Sequence, residues 1–154
     1  MKNIKKILVI SPSIGFGGAE KNLINISNFL SKRFDINFMI LQKRQNNLSK
    51  NIFFKKINVC QFNFSRTAYA CTKIFSLLKK DSYKYVFTSS IQVNFYLVLM
   101  KFFLKKKFFL IHRESNYPFI NFRSLLNFFF RLFYFGSNII IIKNNIIKKT
   151  ISNN

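Results

Sequence analysis

Gly15-Phe16-Gly17-Gly18-Ala19-Glu20 is the stretch of this sequence best suited to hold an anion. It follows the apolar run Ile7-Leu8-Val9-Ile10 and precedes a segment of helical periodicity. Glycines let the backbone take φ > 0 and let a ligand approach the chain closely. The first turn of the helix that follows presents unpaired amides and the positive end of its dipole. A diphosphate is the natural ligand for such a bend, because ligands of open parallel sheets sit outside the carboxyl ends of the strands. The stretch is neither of the common phosphate loops. No Lys-Ser/Thr follows the glycines, which argues against a P-loop, and the third glycine of the dinucleotide fingerprint is missing. A tight turn without a ligand would use the same residues, so the motif alone leaves both readings open.

A second concentration of chemistry is Ile111-His112-Arg113-Glu114-Ser115-Asn116-Tyr117-Pro118. His112 is the sole histidine and falls at the carboxyl end of a predicted strand, where a doubly wound sheet presents its chemistry. Hydrogen bonding to backbone is the alternative role for a partly buried ring. Arg113 and Glu114 are neighbours, so on extended backbone they face opposite ways and only one of them faces a cleft. Arg113 could bind a phosphate or stabilise charge on a leaving diphosphate. A salt bridge is its other use, although acids are scarce here. Asn116 suits either ligand hydroxyls or the turn before Pro118.

The elements that must position these groups follow from periodicity. Lys6–Ser11 reads as a strand buried on both faces. Ser13–Gly18 reads as a loop. Ala19–Lys32 reads as a helix with Ala19, Leu23, Ile26 and Leu30 inward and Asn22, Asn25 and Asn28 outward. Asp35–Leu41 and Ile52–Val59 are predicted strands, with a basic loop over Gln42–Asn51 between them. Thr67–Lys80 is a predicted helix with Ala70, Ile74, Leu77 and Leu78 inward. A strand at Tyr85–Thr88, a helix at Ile91–Phe103 and a strand at Phe108–His112 follow, then a polar loop over Arg113–Ile120. Phe122–Phe135 reads as a basic, aromatic helix, Ile139–Ile142 as a short strand, and Asn145–Ile151 as the start of another helix. Strands alternating with helices predict an α/β fold, a Rossmann-like doubly wound parallel sheet in one domain.

Composition narrows the class further. The chain has 154 residues, 26 Lys+Arg against 4 Asp+Glu, and a formal net charge of +22. Its 49% hydrophobic content excludes disorder through low hydrophobicity. More than half of the residues are Phe, Ile, Lys or Asn, whose codons are A/T-rich, so a low-GC genome alone could produce the charge. The charge nonetheless attracts anionic phosphates and lipids. Cys60 and Cys71 fit neither a zinc pattern nor a disulfide framework, which points to a reducing compartment. No apolar run reaches the ~18 residues of a membrane span, and the Lys-rich start leads into a Gly-rich turn rather than a cleavage site. The expected location is cytoplasmic, with peripheral contact at the inner face of the cell membrane left open.

Taken together, Lys6–Lys32 resembles the opening of glycosyltransferase family 4, the retaining GT-B enzymes: a strand, a G-G-A-E turn, and a helix in which Leu23, Asn25, Ile26, Ser27 and Leu30 fit the pattern. Ile111 through Pro118 resembles the family's R-E-x-N-x-P segment, and Arg131–Ile142 its later helix and strand, with Lys143 where a serine is usual. The resemblance implies the N-terminal lobe of a two-lobed enzyme. It implies backbone contact of Gly17 and Gly18 with the donor diphosphate, catalytic roles for His112, Arg113 and Glu114 near the transferred sugar, and acceptor contacts from Glu20 and Asn116. Glu20 could equally complement the helix dipole. The reaction would transfer a sugar from a nucleotide-sugar donor to a glycan or lipid-linked acceptor, as in polysaccharide biosynthesis. It would use no metal and no cofactor beyond the donor itself as substrate.

The family's second lobe carries a basic residue and an E-x7-E motif, and no two of Glu20, Asp35, Asp81 and Glu114 have that spacing. The expectation is therefore a truncated, split or two-chain enzyme, inactive alone and partnered by a separate C-terminal lobe. The alternative is a non-catalytic basic module. The Phe122–Phe135 helix and Lys105-Lys106-Lys107 would suit an anionic membrane. Scattered charge and the lack of an RNA-binding motif argue against nucleic acid.

Overall fold

A computed structural model describes residues 5–14, 18–42, 56–104, 108–114 and 136–142. They form β1 (Lys6–Ser13), α1 (Gly18–Leu30), β2 (Asp35–Gln42), β3 (Asn58–Gln61), a 3-10 turn (Thr67–Ala70) running into α2 (Cys71–Lys80), β4 (Tyr83–Thr88), α3 (Ile91–Phe103), β5 (Phe109–Glu114) and β6 (Ile139–Ile142). All strands pair in parallel, in the order β3-β2-β1-β4-β5-β6. The chain winds outward from β1 through β2 to β3. It then crosses back to β4 and winds the other way, so the switch point lies between β1 and β4. The doubly wound sheet expected from the strand–helix alternation is the observed one.

Two apolar layers hold the sheet. Alternation along β1 sends Ile7 and Val9 to one face, where they meet Leu23 and Ile24 of α1 together with Ile36, Phe38, Ile40 and Phe87. Leu8 and Ile10 face the other way, toward Ile74 and Leu78 of α2 and Val93 and Leu97 of α3. Each fully buried side chain of this kind contributes about 1.5–3 kcal/mol. α1 packs through Leu23, Ile24 and Ser27. Ser27 is small and turns its hydroxyl back onto the Leu23 carbonyl at 2.8 Å, so no polar atom faces the sheet unpaired. The stripe is thus rotated from the predicted one, in which Ala19, Ile26 and Leu30 stand half-buried at its margin.

Several boundaries differ from expectation by one to two residues or more, three of them for identifiable physical reasons. The described third strand is Asn58–Gln61, which runs two residues past the predicted end at Val59, while 52–55 of the predicted Ile52–Val59 lie outside the described residues; its four residues are all exposed, so backbone pairing with Asn37–Ile40 at the sheet's edge defines it rather than an apolar pattern. The predicted helix from Thr67 begins as a 3-10 turn. β5 continues two residues past His112, so Arg113 and Glu114 belong to a buried strand and not to a polar loop. Pairing with β6 extends it: Arg113 lies opposite Ile141 and Glu114 opposite Ile142. Of the predicted loop over Gln42–Asn51, Gln42 instead closes β2; the rest of it, the helices at Phe122–Phe135 and Asn145–Ile151, the run Lys105–Lys107, and the candidates Gly17 and Asn116 lie outside the described residues.

Candidate functional site

The carboxyl edge of the sheet gathers polar residues that the core below it excludes. β1 ends in Ser11 and Ser13, both buried, with the Ser11 hydroxyl donating to the Ser13 carbonyl at 2.7 Å. β4 ends in buried Thr88, whose hydroxyl accepts from the Ser90 amide at 3.2 Å. Ser90 in turn caps α3: its backbone is extended and its hydroxyl accepts from the Val93 amide at 3.5 Å. These short polar side chains end two central strands at the switch point.

Gly18 is the first residue of α1 and is exposed. A Cβ placed on it would meet nothing within 4 Å. Gly18 therefore borders open space at the first turn of a thirteen-residue helix. Glu20 stands half-buried in that turn, where its charge complements the dipole.

β5 distributes its three candidates as the pleat requires. Arg113 shares a face with α1 and donates to the Ala19 carbonyl at 3.5 Å, although the two residues are 94 positions apart. The guanidinium is thereby brought beside the first turn of α1, with the residue only 8% exposed. Among the described residues no carboxylate pairs with it, so its positive charge stands close to the helix's own positive pole. An anion at that place would meet both.

His112 and Glu114 lie on the opposite face of β5, toward α3, with His112 opposite Thr88 in the sheet. His112 Nε2 and Glu114 Oε2 are 3.4 Å apart and both residues are buried. The pair can fix the imidazole's orientation. It does not share the α1-side space that Arg113 borders. The structure thus brings Gly18, Glu20 and Arg113 together and sets His112 with Glu114 on the other side of the strand. Among the described residues no group of three or more His, Cys, Asp or Glu could hold a metal ion, and no helix is long and apolar enough to cross a membrane.

Sequence reasoning missed Thr88 and Ser90 as site-building residues. The capping pattern of a serine directly before an apolar helix was the available signal.

No protein-family model matches the chain, and no curated protein matches it. Solved structures do. Anabaena Alr3699/HepE, determined in complex with UDP and glucose, aligns with a TM-score of 0.66 and 16% identity over 96% of this chain and 40% of that one. The lipopolysaccharide outer core galactosyltransferase WaaB, in its apo form, aligns with a TM-score of 0.52 and 20% identity over 70% of this chain and 32% of that one. The chain thus spans well under half the length of either. At these identities the likeness is one of fold: a Rossmann-like parallel α/β domain of the kind found in GT-B glycosyltransferases.

Proposed function

We propose that this chain is one lobe of a retaining glycosyltransferase of family 4 type, which transfers a sugar from a nucleotide-sugar donor to a glycan or lipid-linked acceptor. One observation carries the reading: Arg113 reaches from β5 to the first turn of α1, beside the open space over Gly18. The UDP and glucose in the Anabaena structure of similar fold support the choice of ligand.

The donor diphosphate would sit on the amides at Gly17 and Gly18, with the dipole of α1 behind it. As the bond from sugar to diphosphate breaks, negative charge grows on the leaving oxygen. Arg113, already desolvated and held in place, would stabilise that charge without reorganising. Glu20 and Asn116 are the candidates for acceptor contact. His112, steadied by Glu114, would position the strand end nearest the transferred sugar. The nucleotide contacts would come from a second lobe closing over this edge, so that transfer needs both.

Calorimetric titration with UDP tests the reading. Weak binding by the 154-residue chain is expected, with loss of about tenfold or more in Arg113→Ala, the scale of one charge-assisted contact. Arg113→Ala binding UDP as the parent does would sink the assignment. Robust sugar transfer by the chain alone would remove the need for a second lobe.

A further inference from the structure

The opposite edge of the sheet, where strands begin and helices end, has a different character. Phe102 and Phe103 close α3 with 80% and 76% of their surface exposed, and Phe29 near the end of α1 has 70% exposed. Most of the chain's described aromatic rings are at least partly covered, so three such rings at one edge call for a partner. Positive charge surrounds them. Lys32 and Arg33 are exposed in the turn after α1, and the Lys32 ammonium lies 5.7 Å from the centre of the Phe29 ring. Lys80 at the end of α2 and Lys84 near the start of β4 are exposed at the same edge. The acids present there are Asp35 and Asp81, the latter 4.0 Å from Lys6. Lys101 is occupied internally, donating to the Gly136 carbonyl and to Asn138.

We propose that this edge docks on the surface of an anionic phospholipid bilayer. The rings of Phe29, Phe102 and Phe103 enter the boundary between headgroups and acyl chains, and the lysines with Arg33 meet lipid phosphates. Neither signal suffices alone, since shallow apolar insertion is reversible and surface charge is screened; together they anchor. α1 and α3 pack on opposite faces of the sheet, so their ends straddle the edge and give a broad footprint. The rings protrude from two separate helix ends. Strands rise about 3.3 Å per residue, so the eight residues of β1 set its carboxyl end roughly 26 Å from the docked edge. Gly18 at the far edge stays exposed, and vesicle binding and UDP binding are separate readouts.

The test is cosedimentation of the full chain with vesicles of phosphatidylcholine alone and of phosphatidylcholine with phosphatidylglycerol. Binding only to the anionic vesicles is expected. Phe102→Ser with Phe103→Ser should weaken it roughly tenfold or more, and Lys32→Glu with Arg33→Glu comparably. Arg66→Glu with Lys73→Glu, the same charge change at the far edge, should leave most of it. The chain has no tryptophan, so Phe102→Trp gives a single probe whose emission should shift to the blue on anionic vesicles and be quenched by brominated lipid. This variant keeps a large ring at the position and reports even if the serine pair fails to fold. Unshifted emission, or equal losses from the two charge-reversal pairs, overturns the proposal. An RNA oligonucleotide that binds more tightly than the vesicles, and is lost with the serine pair, assigns the edge to nucleic acid instead.

Discussion

Gly18 opens α1 at the carboxyl edge of the sheet, and Gly136 leads into β6 at the amino edge. A Cβ on Gly18 would meet empty space, whereas a Cβ on Gly136 would overlap Val98 Cγ1 and stand 2.8 Å from Val98 Cγ2. The surroundings match. Around Gly136 the chain is knitted together: Lys101 Nζ donates to the Gly136 carbonyl at 3.2 Å and to Asn138 Oδ1 at 2.8 Å, and the Leu110 amide donates to the same Asn138 oxygen at 2.9 Å. Around Gly18 the strand ends carry small polar groups and Arg113. One glycine lets α3 close on the turn into β6, and the other keeps room beside a helix N-terminus. The lesson is that a missing side chain marks a ligand position only where nothing in the fold itself fills the gap.

The largest expected effect breaks the comparison from the packed side. Gly136→Ala should destabilise the fold by about 1–3 kcal/mol, because Val98 sits on α3 and cannot withdraw without moving the helix. Urea denaturation measures it, and an unchanged midpoint would mean that the turn repacks freely.

Gly18→Ala sharpens the other side. Its stability should change by no more than about 0.5 kcal/mol, since the new methyl meets no neighbour. UDP affinity should nonetheless fall about tenfold, equivalent to roughly 1.4 kcal/mol, because the methyl occupies the approach to the helix amides. Unchanged affinity in calorimetry would move the anion away from this bend.

The smallest effect concerns the amino edge. Burial pushes the Tyr83 phenol above its ordinary 10.0, against the opposing hydrogen bond from Asn37 and with added repulsion from Asp81. The folded state therefore favours the neutral phenol. The associated stability is intact below pH 10 and falls as the pH rises past the unfolded value toward the folded one. Tyr83→Phe should lose about 1 kcal/mol near neutrality, as the 2.7 Å hydrogen bond disappears. The gap to the parent should narrow above pH 10. A constant gap in urea midpoints across that range would show that burial does not govern this phenol.

Much of the fold was legible because parallel strands buried on both faces leave continuous apolar runs. Ile7–Ile10 was readable in this way, Ile139–Ile142 was readable from its apolar run although Ile139 and Ile141 are exposed, and α3 was predicted with its observed bounds. The edge strand β3 was not, because all its side chains face solvent and only backbone pairing with β2 defines it. The site was half legible. Residue types named Gly18, Glu20, His112, Arg113 and Glu114 as candidates, but Arg113 and Glu114 run against the preference of a buried strand, and pairing with β6 overrides that preference.

Residue order alone determined that strands and helices alternate, that a glycine bend separates the first of each, and that Arg113 and Glu114 take opposite sides of an extended chain. Alternation of apolar residues and the pleat of a strand are local properties, written into consecutive positions. Only the tertiary structure decided which side each one took. The order β3-β2-β1-β4-β5-β6 carries β5 past β4 to where Arg113 reaches the Ala19 carbonyl, while His112 and Glu114 turn toward α3. That meeting depends on long-range pairing and on which face each helix covers, and no local pattern encodes either.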